Sequence, residues 1–190
     1  MTAGQGRKSG TSNSDARIVR TRANVSRTAL TVLTAEGSDA LTHARVAEVG
    51  GYSKTTLYTH WPSRMDLAAA ALENFAELPT HDRTGDLRTD LVGQLKMFRH
   101  SVIEHRLDLI LAAMAQWATA ETMSEIRERI NTEGQRPLRE ILTGAFDGAQ
   151  LEAVVSMLSG VVACPSLMFG TVPDDDVIEA AVDIALKTVR

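Results

Sequence analysis

The chain has 190 residues, 44% of them hydrophobic, with 20 Lys/Arg, 24 Asp/Glu and a single cysteine, for a formal net charge of −4. That is enough apolar material for a sizeable core, which excludes a disordered chain, and the lone Cys164 excludes an internal disulfide framework. With no charged-then-apolar leader at its start, the sequence is expected in a reducing, cytoplasmic setting.

The charge is unevenly spread. Residues 1–64 hold nine Lys/Arg against four Asp/Glu, and the rest hold eleven against twenty, so a basic head precedes an acidic body. Such asymmetry points to a polyanion at one end, although a solvated basic helix gives the same pattern. Residues 1–15 are rich in Gly, Ser, Thr and Asn without apolar period and are predicted as a disordered basic arm, with order starting near Asp15. Ile18, Val25, Ala29, Val32 and Leu33 then recur at helical spacing, with Arg17, Arg20, Arg22 and Arg27 elsewhere on the surface of that helix. Gly37 ends it by supplying a left-handed residue at little cost. Thr42 is placed to cap a short helix holding Val46 and Val49 on one side, and Gly50-Gly51 breaks the chain. Ser53 is placed to cap a second short helix ending near Tyr58 or His60, which Pro62 prevents from continuing. A longer helix is expected from Ser63 through Met65, Leu67, Leu72 and Phe75 to Leu78.

Two short helices joined by a glycine-bearing turn make a helix-turn-helix unit, whose second helix lies in the major groove with its N-terminal residues toward base edges. Those residues are Lys54, Thr55 and Thr56, while Leu57 faces the core. Tyr58, His60 and Trp61 combine apolar bodies with polar tips suited to phosphate oxygens. An aromatic cluster beside a proline is more often a packing corner than a binding site, and the residues alone leave both readings open.

The run from Leu41 to Leu67, LTHARVAEVGGYSKTTLYTHWPSRMDL, closely resembles the DNA-binding signature of the TetR (tetracycline repressor) family of bacterial transcription regulators. The matching positions are Thr42, Val46-Ala47, Gly51, Ser53-Lys54, Thr56-Leu57-Tyr58, His60-Trp61 and Arg64. The resemblance implies phosphate contacts from Thr42, Ser53, Tyr58, His60 and Arg64, and base-edge contacts from Lys54, Thr55 and Thr56. Arg45 and Trp61 complete the candidate set. Tyr52 stands where the family usually has a small aliphatic and Thr55 where glycine is common; Trp61 and Arg64 replace phenylalanine and lysine. Tyr52 either adds a hydrogen-bonding group near the groove or fills core space.

Pro79 to Gly85 is turn-rich and reads as a short connection. Beyond it the period is helical throughout. One stripe holds Leu87, Leu91, Leu95, Phe98 and Val102, and a second Leu107, Ile110, Leu111, Met114 and Trp117. A third holds Met123, Ile126, Ile130, Leu138 and Ile141, with Pro137 expected to kink it. Phe98, Met114, Trp117, Met123, Ile130 and Met168 are adaptable apolar groups that suit an effector pocket, which the resemblance implies, or an ordinary core. The uncharged stretch Ala153–Val172 is long enough to cross a bilayer, but its Ser, Gly, Thr and Pro content favours a buried helix ending near a proline, with no membrane partner. Ala153, Ser156, Gly160 and Ala163 form a small-residue face, and Pro173 with Asp174, Asp175 and Asp176 marks the start of a helix carrying Val177, Ile178, Ala181, Ile184 and Ala185. Within one chain these faces complete a core; by the resemblance, Ala153, Ser156, Gly160, Ala163, Val177, Ala181 and Ile184 instead form a homodimer interface.

No nucleophile elbow, phosphate loop or metalloprotease motif occurs, and His100, Glu104 and His105 do not share one helix face, so neither an enzyme nor a metal or other cofactor is expected. The resulting expectation is an all-α protein. It has the arm (1–15), a helix-turn-helix DNA-binding domain (16–62), a connecting helix (63–78) and a helical effector-binding and dimerisation domain (79–190). Its expected partners are double-stranded operator DNA, a second copy of the chain and a small apolar or amphipathic effector that releases a repressor from a palindrome. A ligand-independent architectural DNA-binding protein and a helical small-molecule carrier are the other readings.

Overall fold

Helical periodicity along the sequence becomes helix along the chain. The computed structural model describes residues 10–73, 75 and 78–187, which contain nine α-helices, two short 3-10 turns and no strand. They divide into two units, residues 1–75 and 76–190.

The first unit holds α1 (Gly10–Glu36), α2 (His43–Gly50), α3 (Lys54–His60) and α4 (Arg64–Glu73). Val25, Ala29, Val32 and Leu33 of α1 bury against α4, whose Leu67 to Leu72 are all buried, and α1 also packs on α2. Gly37, at φ 85°, stops α1 while its amide still donates to the Leu33 carbonyl at 2.9 Å. One expectation changes here. The helix is described from Gly10, five residues before the order expected near Asp15, because Ser, Thr and Asn are only weakly unfavourable inside a helix. The rest of the expected arm, residues 1–9, lies outside the described residues. The helix expected over 63–78 is described from Arg64 to Glu73, with Ser63 as its cap: Ser63 donates both its amide (2.9 Å) and its hydroxyl (2.7 Å) to Asp66, and Asp66 returns its amide to Ser63 Oγ at 3.1 Å.

The second unit holds α5 (Leu87–Glu104), α6 (Leu107–Gln116), α7 (Ser124–Leu142), α8 (Gly148–Phe169) and α9 (Asp175–Leu186). α5 packs on all four of the others, and its Leu91, Leu95 and Val102 meet a core that includes Ile110, Met123, Leu142, Leu158 and Ile178. An ion-pair ladder fixes α9 along α5: Arg88 with Asp183 at 2.7 Å, Lys96 with Asp175 at 2.9 Å and Arg99 with Asp175 at 2.6 Å. These pairs are partly exposed, so each sets register more than it adds stability. The apolar segment departs from expectation. α8 runs through Pro165 to Phe169 and stops at the left-handed Gly170 (φ 65°), and only 22% of its most apolar window is buried. By length and composition it could cross a membrane; as packed here, it leaves one face uncovered.

Sequence periodicity passed over Asp90, which is fully buried on α5. Its carboxylate accepts the Thr84 amide and hydroxyl at 2.7 Å each, Arg83 Nε at 3.0 Å and the Gly85 amide at 3.2 Å, tying residues 83–85 to the helix. Those bonds, the Thr84 hydroxyl foremost, hold the carboxyl well below the usual carboxylate range against the burial that would raise it. A group depressed in the folded state contributes stability above its ordinary pKa of 3.8 and loses it as pH falls through the folded value. Asp90→Asn is therefore expected to melt below the parent at neutral pH, with the gap closing as pH drops under 3.8. Melting temperatures followed by circular dichroism across that range check this, and a gap that stays constant with pH rules out the carboxylate as its source.

Candidate nucleic-acid interface

The recognition element is built from caps. Thr42 Oγ1 accepts the Arg45 amide at 3.2 Å to start α2, and Ser53 Oγ accepts the Thr56 amide at 3.1 Å to start α3. Each cap stands at a helix N-terminus, where partial positive charge favours an anion, and Thr42 keeps its hydroxyl hydrogen for an outward bond, whereas the Ser53 hydroxyl is shared with that of Thr56. Between them Gly51 adopts φ 70°, and the amides of Gly51 and Tyr52 both turn back to the Ala47 carbonyl. The Tyr52 ring lies against Gly50: a Cβ there would come within 2.1 Å of the ring. Tyr52 thus fills space beside a residue with no side chain, which accounts for its size at a position where the resemblance leads one to expect a small aliphatic.

Leu57 is fully buried and anchors α3, so its opposite side faces outward with Lys54, Thr55, Tyr58 and Thr59 exposed. Thr56 is half-buried, its hydroxyl 2.7 Å from that of Ser53, and His60 is also half-buried. Tyr58 is 54% exposed yet not loose, because its ring stacks on His43 with centroids 4.1 Å apart and planes 16° from parallel. His43 is itself buried, and its Nε2–H donates to the Trp61 carbonyl at 2.6 Å. This buried histidine orients an exposed phenol. The sequence reading missed it because nothing in the local pattern shows that residues 18 positions apart meet.

Three candidates stand elsewhere than expected. Trp61 is 7% exposed, so its ring belongs to the core beneath the interface, edge-on to His60. Arg45 is held by Glu36 (2.8 Å) and Glu48 (2.9 Å), which keep its guanidinium more firmly charged than usual while neutralising it locally. Arg64 stays exposed but donates to the carbonyls of Leu41, at 3.0 Å, and Ser38. Ser53, Lys54, Thr55, Thr56, Tyr58 and His60 thus lie along α3 from its cap to its last residue and Thr42 caps α2, while Arg45, Trp61 and Arg64 bond or pack within their own unit.

In the second unit, Met114, Trp117, Met123 and Ile130 are buried and Phe98 is half-buried. Met168 is not with them: at 72% exposed on the last turn of α8, it lines no interior, because the helix continues past Pro165 and carries it to the surface. Of the residues expected at a dimer interface, Ala153, Ser156, Val177 and Ile184 are exposed and Gly160, Ala163 and Ala181 half-buried. Met157, which had not been singled out, is exposed beside them on α8. No group of three His, Cys, Asp or Glu placed to hold a metal ion occurs among the described residues.

Residues 25–71 match the family model described as bacterial regulatory proteins, tetR family. Among solved structures, the TetR family transcription regulator SCO0332 is 30% identical, with a TM-score of 0.59 over 89% of this chain and 98% of that one. The HTH-type transcriptional regulator Rv1556 of Mycobacterium tuberculosis is 26% identical over 81% of this chain and 80% of its own length. The DNA-binding transcriptional repressor TetR of Mycobacteroides abscessus is 37% identical over a shorter stretch, 37% of this chain and 38% of that one.

Proposed function

The chain belongs to the TetR family of transcription regulators, DNA-binding proteins that act as dimers and are not enzymes, and we propose that it is a repressor that reads a palindromic operator as a homodimer and is released by a small apolar or amphipathic effector. The observation carrying this reading is the outer face of α3. Lys54, Thr55 and Tyr58 are exposed there, on a short helix held rigid by the Ser53 cap and the Leu57 and Trp61 anchors. Contacts to base edges need such rigidity, since a side chain must arrive within hydrogen-bonding geometry of one base and not its neighbour. Two copies would place two α3 helices about 34 to 36 Å apart on one face of a duplex, the spacing of successive major grooves. The repressor named among the relatives, similar over 37% of this chain, supports repression as the direction of control.

For release, the effector must bind better to a conformer of the dimer in which the two α3 helices no longer match that spacing. The adaptable side chains Met114, Trp117 and Met123, clustered in the second unit, are the groups proposed to receive it. Selection of bound sequences from a random duplex pool tests the reading. One palindrome is expected, with affinity falling when an effector recovered from a ligand screen saturates the dimer. A pool that yields no consensus would favour an architectural role, and operator affinity unchanged at saturation would remove the switch.

A further inference from the structure

The cations of the helix-turn-helix are mostly committed. From residue 37 to 73 there are only Arg45, Lys54 and Arg64, and the first and last are tied to acids and carbonyls of their own unit. Lys54 is left as the exposed, unpaired charge of that stretch. Firm duplex binding needs several neutralised phosphates, because most of the affinity comes from counterion release.

Helix α1 supplies what is missing. Residues 16–35 contain four arginines and no acid, whereas a merely solvated helix usually intersperses both signs. Arg20, Arg22 and Arg27 are exposed, and among the described residues no carboxylate pairs with them. Arg20 and Arg27, two turns apart, share a face with Asn24, while Val25, Ala29 and Val32 on the other side bury into the core. The Thr28 and Thr31 hydroxyls are turned back to carbonyls of α1 at 3.0 Å, so the outward donors of this face are the guanidinium groups and the Asn24 amide. The family match begins only at residue 25, so Arg20 and Arg22 lie on a part of the helix that precedes it.

We infer that the arginine face of α1 is a second DNA-contacting surface, which holds the phosphate backbone while α3 reads the bases. It is independent of sequence, so it requires the chain to bind DNA but not to be a ligand-released repressor. The test uses the full chain and a long mixed-sequence duplex, with affinity measured by fluorescence anisotropy over a series of salt concentrations. For Arg20→Gln/Arg27→Gln the slope of log affinity against log salt is expected to shrink by nearly four, two arginines on each chain of the dimer at about 0.9 per lost phosphate contact. The Arg20→Lys/Arg27→Lys chain is expected to keep the parent slope, because point charges serve phosphate even without the guanidinium fork. An unchanged slope in the glutamine variant overturns the inference. So does a loss that lysine fails to restore, which would mark a structural role, and so does an absence of DNA binding by the parent chain.

Discussion

A chain carrying Lys54→Ala is expected to bind its selected operator at least tenfold more weakly while its affinity for unrelated duplex changes far less. Lys54 is the first residue of α3, exposed and without an ion partner, and a good pairing of a basic side chain with a guanine edge discriminates by about 1–3 kcal/mol. Arg45→Ala provides the contrast. Its guanidinium is already held by Glu36 and Glu48, so the substitution should act chiefly on the packing of α1 against α2, seen as a lower melting temperature. Competition binding of operator and scrambled duplex at one salt concentration separates the two. If Lys54→Ala weakens both duplexes equally, the lysine touches phosphate only, and base reading passes to Thr55 and Thr56. Tyr58 and His43 extend the same logic. His43→Leu removes the ring that Tyr58 stacks on, so an effect comparable to Tyr58→Phe would mean that the stack serves to place the phenol.

What could be read in the sequence was local. The caps at Thr42 and Ser53, the breaks at Gly37 and Gly51 and the core position of Leu57 all depend on neighbours within four residues, and all are found where expected. What could not be read depends on partners brought together by the fold. Arg45 looked available because Glu36 lies nine positions earlier, and Arg64 because its carbonyl partners lie 23 and 26 positions earlier. Asp90 stands outside the apolar stripe of its helix and is buried because residues 83–85 fold over it. Met168 was assigned to the interior on residue type alone, yet type does not decide which side of a helix end meets solvent.

Val177→Asp/Ile184→Asp is expected to leave a folded monomer that no longer binds the palindrome firmly. Both side chains are more than half exposed in the single chain, 52% and 57%, so charge there costs the isolated fold little. On the proposed interface the same carboxylates would be desolvated without partners. Leaving a buried charge unpaired costs about 3–5 kcal/mol, and two-fold symmetry repeats every substitution on the opposite side. α8 adds a reason to place the partner here. It is long and strongly apolar, most of its apolar window is uncovered in the single chain, and Ala153, Ser156 and Gly160 would let a second helix approach closely. Because α9 is laddered to α5 through Arg88, Lys96 and Arg99, it presents Val177 and Ile184 from a fixed register and not from a loose tail. Sedimentation equilibrium on parent and variant decides the matter. A monomeric variant with parental helicity and lost palindrome affinity supports the α8–α9 face, whereas a variant that stays dimeric moves the interface elsewhere on the second unit.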